Sequence, residues 1–240
     1  MPPEREGPWI SIVIPALDEE RTIAGLLDDL RRLRVPRETI VVDGGSADAT
    51  AAVARAAGAR VLSAPRGRGS QLRAGAAAAA APVLCFLHAD VRLAPEGARR
   101  LDALAREPSG AAWAFPLRID APGPAYRLIE LGANLRSRLL RLPYGDQGLV
   151  IRRDDYERAG GHPAIPVMED VALARALRGT VPLRLLPEGP GELRVSARRW
   201  ERDGPLRRTL RNWTLLVRYA AGVAPERLAR RYVPTGEENA

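Results

Sequence analysis

Lysine is absent: all 37 basic residues of the 240-residue chain are arginine, set against 29 acids for a net charge of +8. The planar arginine fork favours bidentate contact with phosphates and carboxylates. An anionic partner fits this balance, whether a nucleotide, a nucleic acid or an acidic membrane surface; a coding bias toward Arg and Ala explains the same count. Without lysine there can be no Gly-Lys-Ser/Thr phosphate loop, nor the lysine-bearing N-terminal signature of nucleotidyl transferases; IPALDEE stands there instead. A single cysteine, Cys85, excludes an intrachain disulfide and fits a reducing compartment. Aromatic residues make up only 5% of the chain, which leaves few platforms for stacking bases. The arginines are also scattered among acids, so no nucleic-acid partner is expected. Long apolar runs are missing too. The longest uncharged run lies between Arg73 and Asp90, is interrupted by Pro82 and falls short of the roughly 20 residues a spanning helix needs. The opening MPPEREGPW has no apolar signal core. A cytoplasmic location is expected, with peripheral contact to the inner membrane face left open.

Hydrophobic residues are 46% of the chain and charged ones 28%, which suits one large globular domain with a sizeable core. Residues 9–15 read as a buried strand stopped by proline. A helix follows, with Ile23, Leu26, Leu27, Leu30 and Leu33 on one stripe. Strands at 38–43, 59–64 and 83–88 alternate with helices at 46–57 and from the 65–75 loop to Pro82. This alternation predicts right-handed βαβ units and a parallel sheet, whose ligands bind at the carboxyl ends of the strands. The second half is less regular. It predicts strands at 111–119, 147–151, 183–186 and 192–197, helices at 124–142, 169–178 and 206–221, and short helices ending at Gly160 and starting at Pro225.

Polar sequence follows each early strand. In VVDGGS (41–46), Asp43 could accept from a base or ribose, Gly44 and Gly45 permit close approach, and Ser46 would cap the next helix; a tight turn closed by Asp43 is the plainer account. PRGRGSQLRAG (65–75) offers backbone N–H groups and Arg66 or Arg68 to phosphates, or is a surface loop. Leu72 stands where a dinucleotide fingerprint needs its third glycine. In CFLHAD (85–90), His88 and Asp90 point the same way along an extended chain and could face one hard cation or diphosphate; alternatively Asp90 caps the turn before Pro95. Glu169 and Asp170 open a helix, where acids stabilise the dipole or supply a general base. YGDQG (144–148) and GGHP (160–163) could line an acceptor site. In SARRW (196–200), Arg198 or Arg199 could neutralise a leaving diphosphate beside Trp200, or simply be solvated.

Taken in order, SIVIPALDEE, VVDGGSADAT, the glycine-arginine loop, FLHAD, GDQG, MED and SARRW resemble family 2 glycosyltransferases of the GT-A fold, over about Trp9 to Trp200. Within that family the chain looks most like the small soluble bacterial group associated with arsenosugar biosynthesis, close to carotenoid-acid glycosyltransferases, and LRNWTLLVRYAAGVAPERLARRY fits the same group. The resemblance implies an α/β GT-A fold, a mostly parallel central sheet flanked by helices, with a helical C-terminal extension. It divides the chain into a disordered arm (1–8), the transferase domain (9–204, with a nucleotide-binding half at 9–90 and an acceptor half at 91–204), C-terminal helices (205–232) and a polar tail (233–240). It implies a nucleotide-sugar donor, usually of uridine diphosphate, and inversion at the anomeric carbon. Pro15, Ala16 and Glu19 would border the nucleoside, Asp43 the base, and Gly45 and Arg68 the donor. The family's Asp-X-Asp metal motif reads His88-Ala89-Asp90 here, so Asp90 would hold Mg²⁺ or Mn²⁺ while His88 replaces a carboxylate. Asp170, beside Glu169, matches the catalytic base. Arg199 and Trp200 match the Gln-X-X-Arg-Trp motif, with Ser196 in place of glutamine. Tyr144, Asp146, Gln147 and His162 would form the acceptor region, for a hydroxyl or carboxyl acceptor.

Two other readings stay beside this one: a catalytically weak nucleotide-sugar-binding relative, for which His88 speaks, and a transferase acting on a lipid or carotenoid-acid acceptor at the membrane surface. In the helix at 206–221, Leu206, Leu210, Trp213, Val217 and Ala220 share one side. That side is expected to dock on the domain; membrane contact and an acceptor-site lid are the alternatives.

Overall fold

The structure, a computed structural model, describes residues 7–187, 189 and 192–230. Most of the expected N-terminal arm and all of the polar tail lie outside the described residues. The first half alternates as its periodicity predicts: β1 (Ile10–Ala16), α1 (Glu20–Leu30), β2 (Arg37–Asp43), α2 (Thr50–Ala56), β3 (Arg60–Ser63), α3 (Arg68–Ala78) and β4 (Val83–Phe86). The second half is built from β5 (Val91–Leu93), α4 (Pro95–Arg106), β6 (Ala112–Ala114), α5 (Pro124–Leu140), β7 (Leu149–Arg152), α6 (Arg153–Arg158), α7 (Glu169–Leu177), β8 (Leu183–Leu185), β9 (Leu193–Val195), α8 (Arg198–Asp203), α9 (Pro205–Ala220) and α10 (Pro225–Ala229).

Seven strands form one sheet in the order β3-β2-β1-β4-β7-β6-β8. Its neighbours run parallel except where β7 meets β4 and β6. Helices cover both faces, so the central strands β1 and β4 are buried along their whole length. On β1, Ile10, Ile12 and Ile14 join the cluster that holds Ile23, Leu26 and Leu30 of α1, while Val13 lies on the other face, against α3, in one cluster with Leu72 and Ala76. Each such leucine or isoleucine contributes about 1.5–3 kcal/mol by leaving water. A small second sheet pairs β5 with β9 antiparallel, Val91 opposite Val195, and Ser196 N–H donates to the Asp90 carbonyl at 3.1 Å. That ladder sets the chain after Asp90 beside the chain before Arg198.

Several boundaries differ from expectation for local reasons. Helix α2 starts at Thr50, not Ser46, because side chains take the preceding N–H groups: Asp43 accepts from Ser46 at 3.2 Å, Asp18 from Ala47 at 2.8 Å and Asp48 from Thr50 at 2.9 Å. Such local carboxylate bonds compete with helix formation, and Ser46 therefore caps nothing. The strand expected at 111–119 shrinks to β6 plus an isolated bridge at Ile119, since Pro116 cannot donate to a ladder. Residues 198–203 form α8, a helix that the sequence pattern did not predict.

The outer side of α9 is the main correction. Its expected docking stripe, Leu206, Leu210, Trp213 and Val217, stands exposed, as does Ala220, while Arg208, Leu215 and Leu216 are buried. Asp203 is the reason. Its carboxylate is 5% exposed and accepts from Arg208 at 2.8 Å and Arg211 at 3.1 Å. A buried carboxylate needs paired cations, so those arginines turn inward and the leucine stripe turns out.

Gly75 of α3 lies against the sheet, where an added Cβ would stand 2.3 Å from Val13 Cγ1 and 2.9 Å from Val42 Cγ2. A mid-helix Gly→Ala change ordinarily gains up to about 1 kcal/mol. Here overpacking should outweigh that gain, and Gly75→Ala is expected to lose about 1–2 kcal/mol net in urea unfolding. A stabilised variant would mean that α3 does not press on the sheet as described.

Candidate active site

The carboxyl ends of β1, β2 and β4 meet at one edge. Gln71 of α3 joins the first two, its amide donating to the Ala16 and Val42 carbonyls at 2.8 Å each, and Gly44 N–H donates to the Ala16 carbonyl at 2.9 Å. Gly44 sits on that amide: a Cβ there would come within 3.0 Å of Gln71 Nε2. Gly45 has φ +91°, which disfavours any side chain. Asp43 is buried at the rim, where it accepts from Gly45 N–H at 3.2 Å and from the Ser46 hydroxyl. Its present bonds are those of the tight turn. Pro15 and Ala16 are buried strand backbone at the same edge.

Asp90 is 4% exposed. Its Oδ2 lies 3.4 Å from Arg198 Nη2 and 3.4 Å from Arg199 Nε, both from α8. Its Oδ1 is buried without a hydrogen-bond partner. Burial works against ionisation, yet Arg199 and Arg198 hold the carboxyl below its ordinary range. Arg198 also hydrogen-bonds both carboxylate oxygens of Glu19, which accepts from the Thr22 hydroxyl at 2.6 Å. Arg199 is further from Glu19, at 3.9 Å, so Arg198 makes the closer bridge between the α1 start and Asp90. His88 is buried, and burial, with Arg68 nearby, pushes its pKa down to about 3. The ring is a neutral imidazole with Nε2 packed on the Gly145 backbone, where a Cβ would stand only 2.6 Å away.

Across the edge, Met168 enters α7 with φ +67°, a left-handed conformation costly for a side chain of this size. It delivers Glu169 inward and Asp170 toward the cavity. Glu169 pairs with Arg68 at 2.8 Å and leaves Oε2 without a partner. Burial raises its carboxyl above the ordinary range despite Arg68. Asp170 is half-buried; Oδ2 accepts from Gly145 N–H at 2.9 Å and Oδ1 from Val171 N–H at 2.7 Å. An open cavity is lined by Arg68, His88, Tyr144, Asp146, Asp170 and Arg199, with Arg208 and Asn212 of α9 closing one side. Behind it, an apolar pocket runs under His88 and Asp170 to His162.

Among the expected acceptor residues, Tyr144 and Asp146 line the cavity. The Arg136 guanidinium lies 3.5 Å from the Tyr144 ring centroid. Burial raises the Asp146 carboxyl, with Asp170 and Asp90 adding to the shift. Gln147 does not line it. It is fully buried, donating to the Phe115 carbonyl at 3.1 Å and accepting from Ser137 Oγ at 2.7 Å, and serves as a brace behind the 3₁₀ turn Gly145–Gln147. His162 lies deep in the apolar pocket, with Nδ1 3.0 Å from the Tyr156 hydroxyl and its ring edge-on to Phe86. Trp200 is buried in the core and reaches a second groove between α5 and α9. Gln71, Arg136 and Asn212 lay outside the expected site; a Gln after a Gly-rich loop and an Asn beside Trp213 carry no pattern that marks them.

The model of "Glycosyl transferase family 2" matches residues 11–161. Glucosyl-3-phosphoglycerate synthase of Mycolicibacterium paratuberculosis is 38% identical over 98 residues, 36% of this chain and 30% of that protein. The 4,4′-diaponeurosporenoate glycosyltransferase of Staphylococcus aureus is 45% identical over 53 residues, 22% of this chain and 14% of that one. The matched stretches thus span less than a third of either relative's length. Among solved structures, S. aureus TarS 1-349 superposes with a TM-score of 0.64 at 14% identity, covering 84% of this chain and 63% of that one. Glucosyl-3-phosphoglycerate synthase of Mycobacterium tuberculosis, solved with Mn²⁺, UDP and glucosyl-3-phosphoglycerate, gives 0.56 at 23% identity, covering 79% and 71%. At such identities these two show the fold, which is GT-A.

His162 also sets a pH dependence. Burial, then Arg68, pushes its pKa down to about 3, against about 6.5 for an unfolded histidine. The unfolded chain therefore binds a proton that the native ring refuses. The stability linked to His162 is complete above pH about 6.5 and is lost as pH falls toward 3. Ring NMR signals of His162 should stay flat from pH 8 to about 5, and His162→Gln should show a shallower loss of urea stability than the parent between pH 6.5 and about 5. A native ring titrating near 6 would refute the buried neutral state.

Proposed function

The chain belongs to glycosyl transferase family 2, and we propose that it moves a sugar, with inversion, from a UDP-sugar to an acceptor hydroxyl, with Asp90 at a divalent cation and Asp170 as general base. One observation carries this reading. A buried Asp90 with an unpartnered oxygen stands between two guanidiniums, and one of these, Arg199, also lines the cavity that Asp170 faces.

The residues present fit Mg²⁺ or Mn²⁺. Asp90 Oδ1 is an orphaned buried acceptor, and the neutral His88 stands two residues before it. Among the described residues no group of three or more His, Cys, Asp or Glu gathers as a cage. A hard cation bound here would complete its shell from substrate phosphates and water, as Mg²⁺ commonly does. When bound, it would supply positive charge to the diphosphate as that group leaves. The Mn²⁺ seen in the mycobacterial synthase supports the same assignment.

Arg199 and Arg198 would share the departing charge. Both already face Asp90, and Arg199 also lines the cavity. On diphosphate arrival, Arg198 can exchange part of its Glu19 contact for phosphate oxygens, since guanidinium forks suit either anion. Asp170 then takes the proton of the acceptor hydroxyl while that oxygen attacks the anomeric carbon, and the bond from that carbon to the diphosphate oxygen breaks. Gly145 N–H fixes one Asp170 oxygen, which holds the carboxylate in place through the transfer. A carboxylate acceptor would need no such base, so Asp170 favours a hydroxyl. Pro15, Ala16, Glu19 and Asp43 border the nucleoside in this reading, and Tyr144 and Asp146 the acceptor.

Asp170→Asn should lower turnover of UDP-sugar by about 10²–10⁴-fold while leaving Mn²⁺-dependent UDP binding intact by calorimetry. Asp90→Ala should lose the Mn²⁺ dependence of UDP binding itself. An Asp170→Asn enzyme as active as the parent would sink the base assignment.

A further inference from the structure

The nine large hydrophobic side chains that stand exposed among the described residues all lie on two neighbouring helices, α5 and α9. On α5 they are Leu128, Leu131, Leu135 and Leu139, the last 71% exposed, with Leu140 after them. On α9 they are Leu206, at 69%, then Leu210, Trp213 and Val217. Both series step by three and four residues, so each is one continuous helical stripe. Monomeric proteins rarely leave such a patch to water.

The exposed charge on these helices has one sign. Helix α9 contains no acid at all, and the single acid of α5, Glu130, is buried, accepting from Ile119 N–H at 2.7 Å and pairing with Arg118 and Arg127. Arg138, Arg207 and Arg218 stand exposed among the leucines. Leucine and tryptophan flanked by arginine are the features of a helix lying in a bilayer interface, and arginine adds attraction to anionic headgroups. A second copy of the chain would bring cation against cation. The inner sides of both helices are already committed to the fold, through Asn134 and Glu130 on α5 and Arg208, Leu215 and Leu216 on α9.

We propose that the α5–α9 face is a peripheral docking surface for an anionic lipid bilayer. Between the helices runs a groove that includes Leu128, Leu206, Trp213 and Trp200 and reaches Tyr144 and Asp146. Those last two residues also line the catalytic cavity. Docked in this way, the groove faces the membrane, and an amphiphilic acceptor reaches Asp170 from the bilayer side. The acceptor part of the inference rests on the proposed transferase reading; the docking itself does not.

The test is co-sedimentation of the full chain with phosphatidylcholine vesicles, with and without phosphatidylglycerol. The protein should pellet with the anionic vesicles and be released by raised salt. Leu131→Gln with Leu135→Gln, Leu210→Gln with Trp213→Gln, and Arg207→Glu with Arg218→Glu should each weaken binding by roughly tenfold or more, with unchanged circular dichroism and melting. These side chains are on the surface, so folding is not at stake. Absence of anionic-vesicle binding, or binding indifferent to all three variants, would overturn the proposal. So would a dimer in sedimentation velocity that the leucine variants dissolve, because the face would then belong to a second copy. No arm reads sugar transfer, so a chain that transfers without docking, or docks without transferring, is told apart.

Discussion

A carboxylate at 4% exposure stays ionised only beside cations, and for Asp90 those cations come from more than a hundred residues downstream. Arg198 and Arg199 reach it because β9 pairs with β5 and α8 begins three residues after that ladder. The dependence runs both ways. Without the carboxylate, α8 would place two guanidiniums at a buried edge with Glu19 as their remaining carboxylate. Without the arginines, the end of β4 would carry an uncompensated charge. The pairing thus ties the C-terminal third of the chain to the β1–α1 turn and sets the geometry of the strand edge.

Two carboxylates on the facing side are separated in role by their surroundings. Glu169 is sealed against Arg68, and burial raises its carboxyl. Asp170, one residue on, is half-open, fixed by a backbone N–H and exposed to the cavity. The left-handed Met168 makes this possible, because it turns the helix entry so that consecutive acids point into different environments. Such strain persists where surrounding contacts over-determine the backbone. Gly69 supplies one of them: its Cα lies so close to the Pro163 carbonyl that a Cβ would come within 2.2 Å of the oxygen.

Residues 9–90 were legible because their strands are four to seven residues long and β1, β4 and the end of β2 are buried, so apolar runs and helical stripes stand out against the loops. Residues 91–204 were less so. Strands β5, β6, β8 and β9 are three residues each, too short for a period to register. Helices α4 and α8 went unpredicted; α8, six residues with one buried side chain, Trp200, is too short to show a stripe. Asp90, Asp170, Arg68 and Arg199 were singled out by their order along the chain; the fold brings Arg68, Asp170 and Arg199 to one cavity and sets Asp90 against Arg199. Gln147 was misplaced because a polar residue in a glycine-rich turn looks the same from sequence whether it faces a cavity or braces the turn from behind.

The outward leucines of α9 follow from the same ionic logic that governs Asp90. Helical periodicity alone sends an apolar stripe inward. Asp203, at the junction of α8 and α9, reverses this by drawing Arg208 and Arg211 to itself, and a helix has only one orientation that satisfies both. Arg208 then stands 5.7 Å from the Trp200 ring centroid and forms part of the cavity wall. One buried carboxylate therefore decides three things together: where Trp200 sits, what closes the cavity, and which side of α9 meets solvent. Exposed apolar surface beside this site is the consequence of an anchored polar core, which is why the hydrophobic pattern pointed the helix the wrong way.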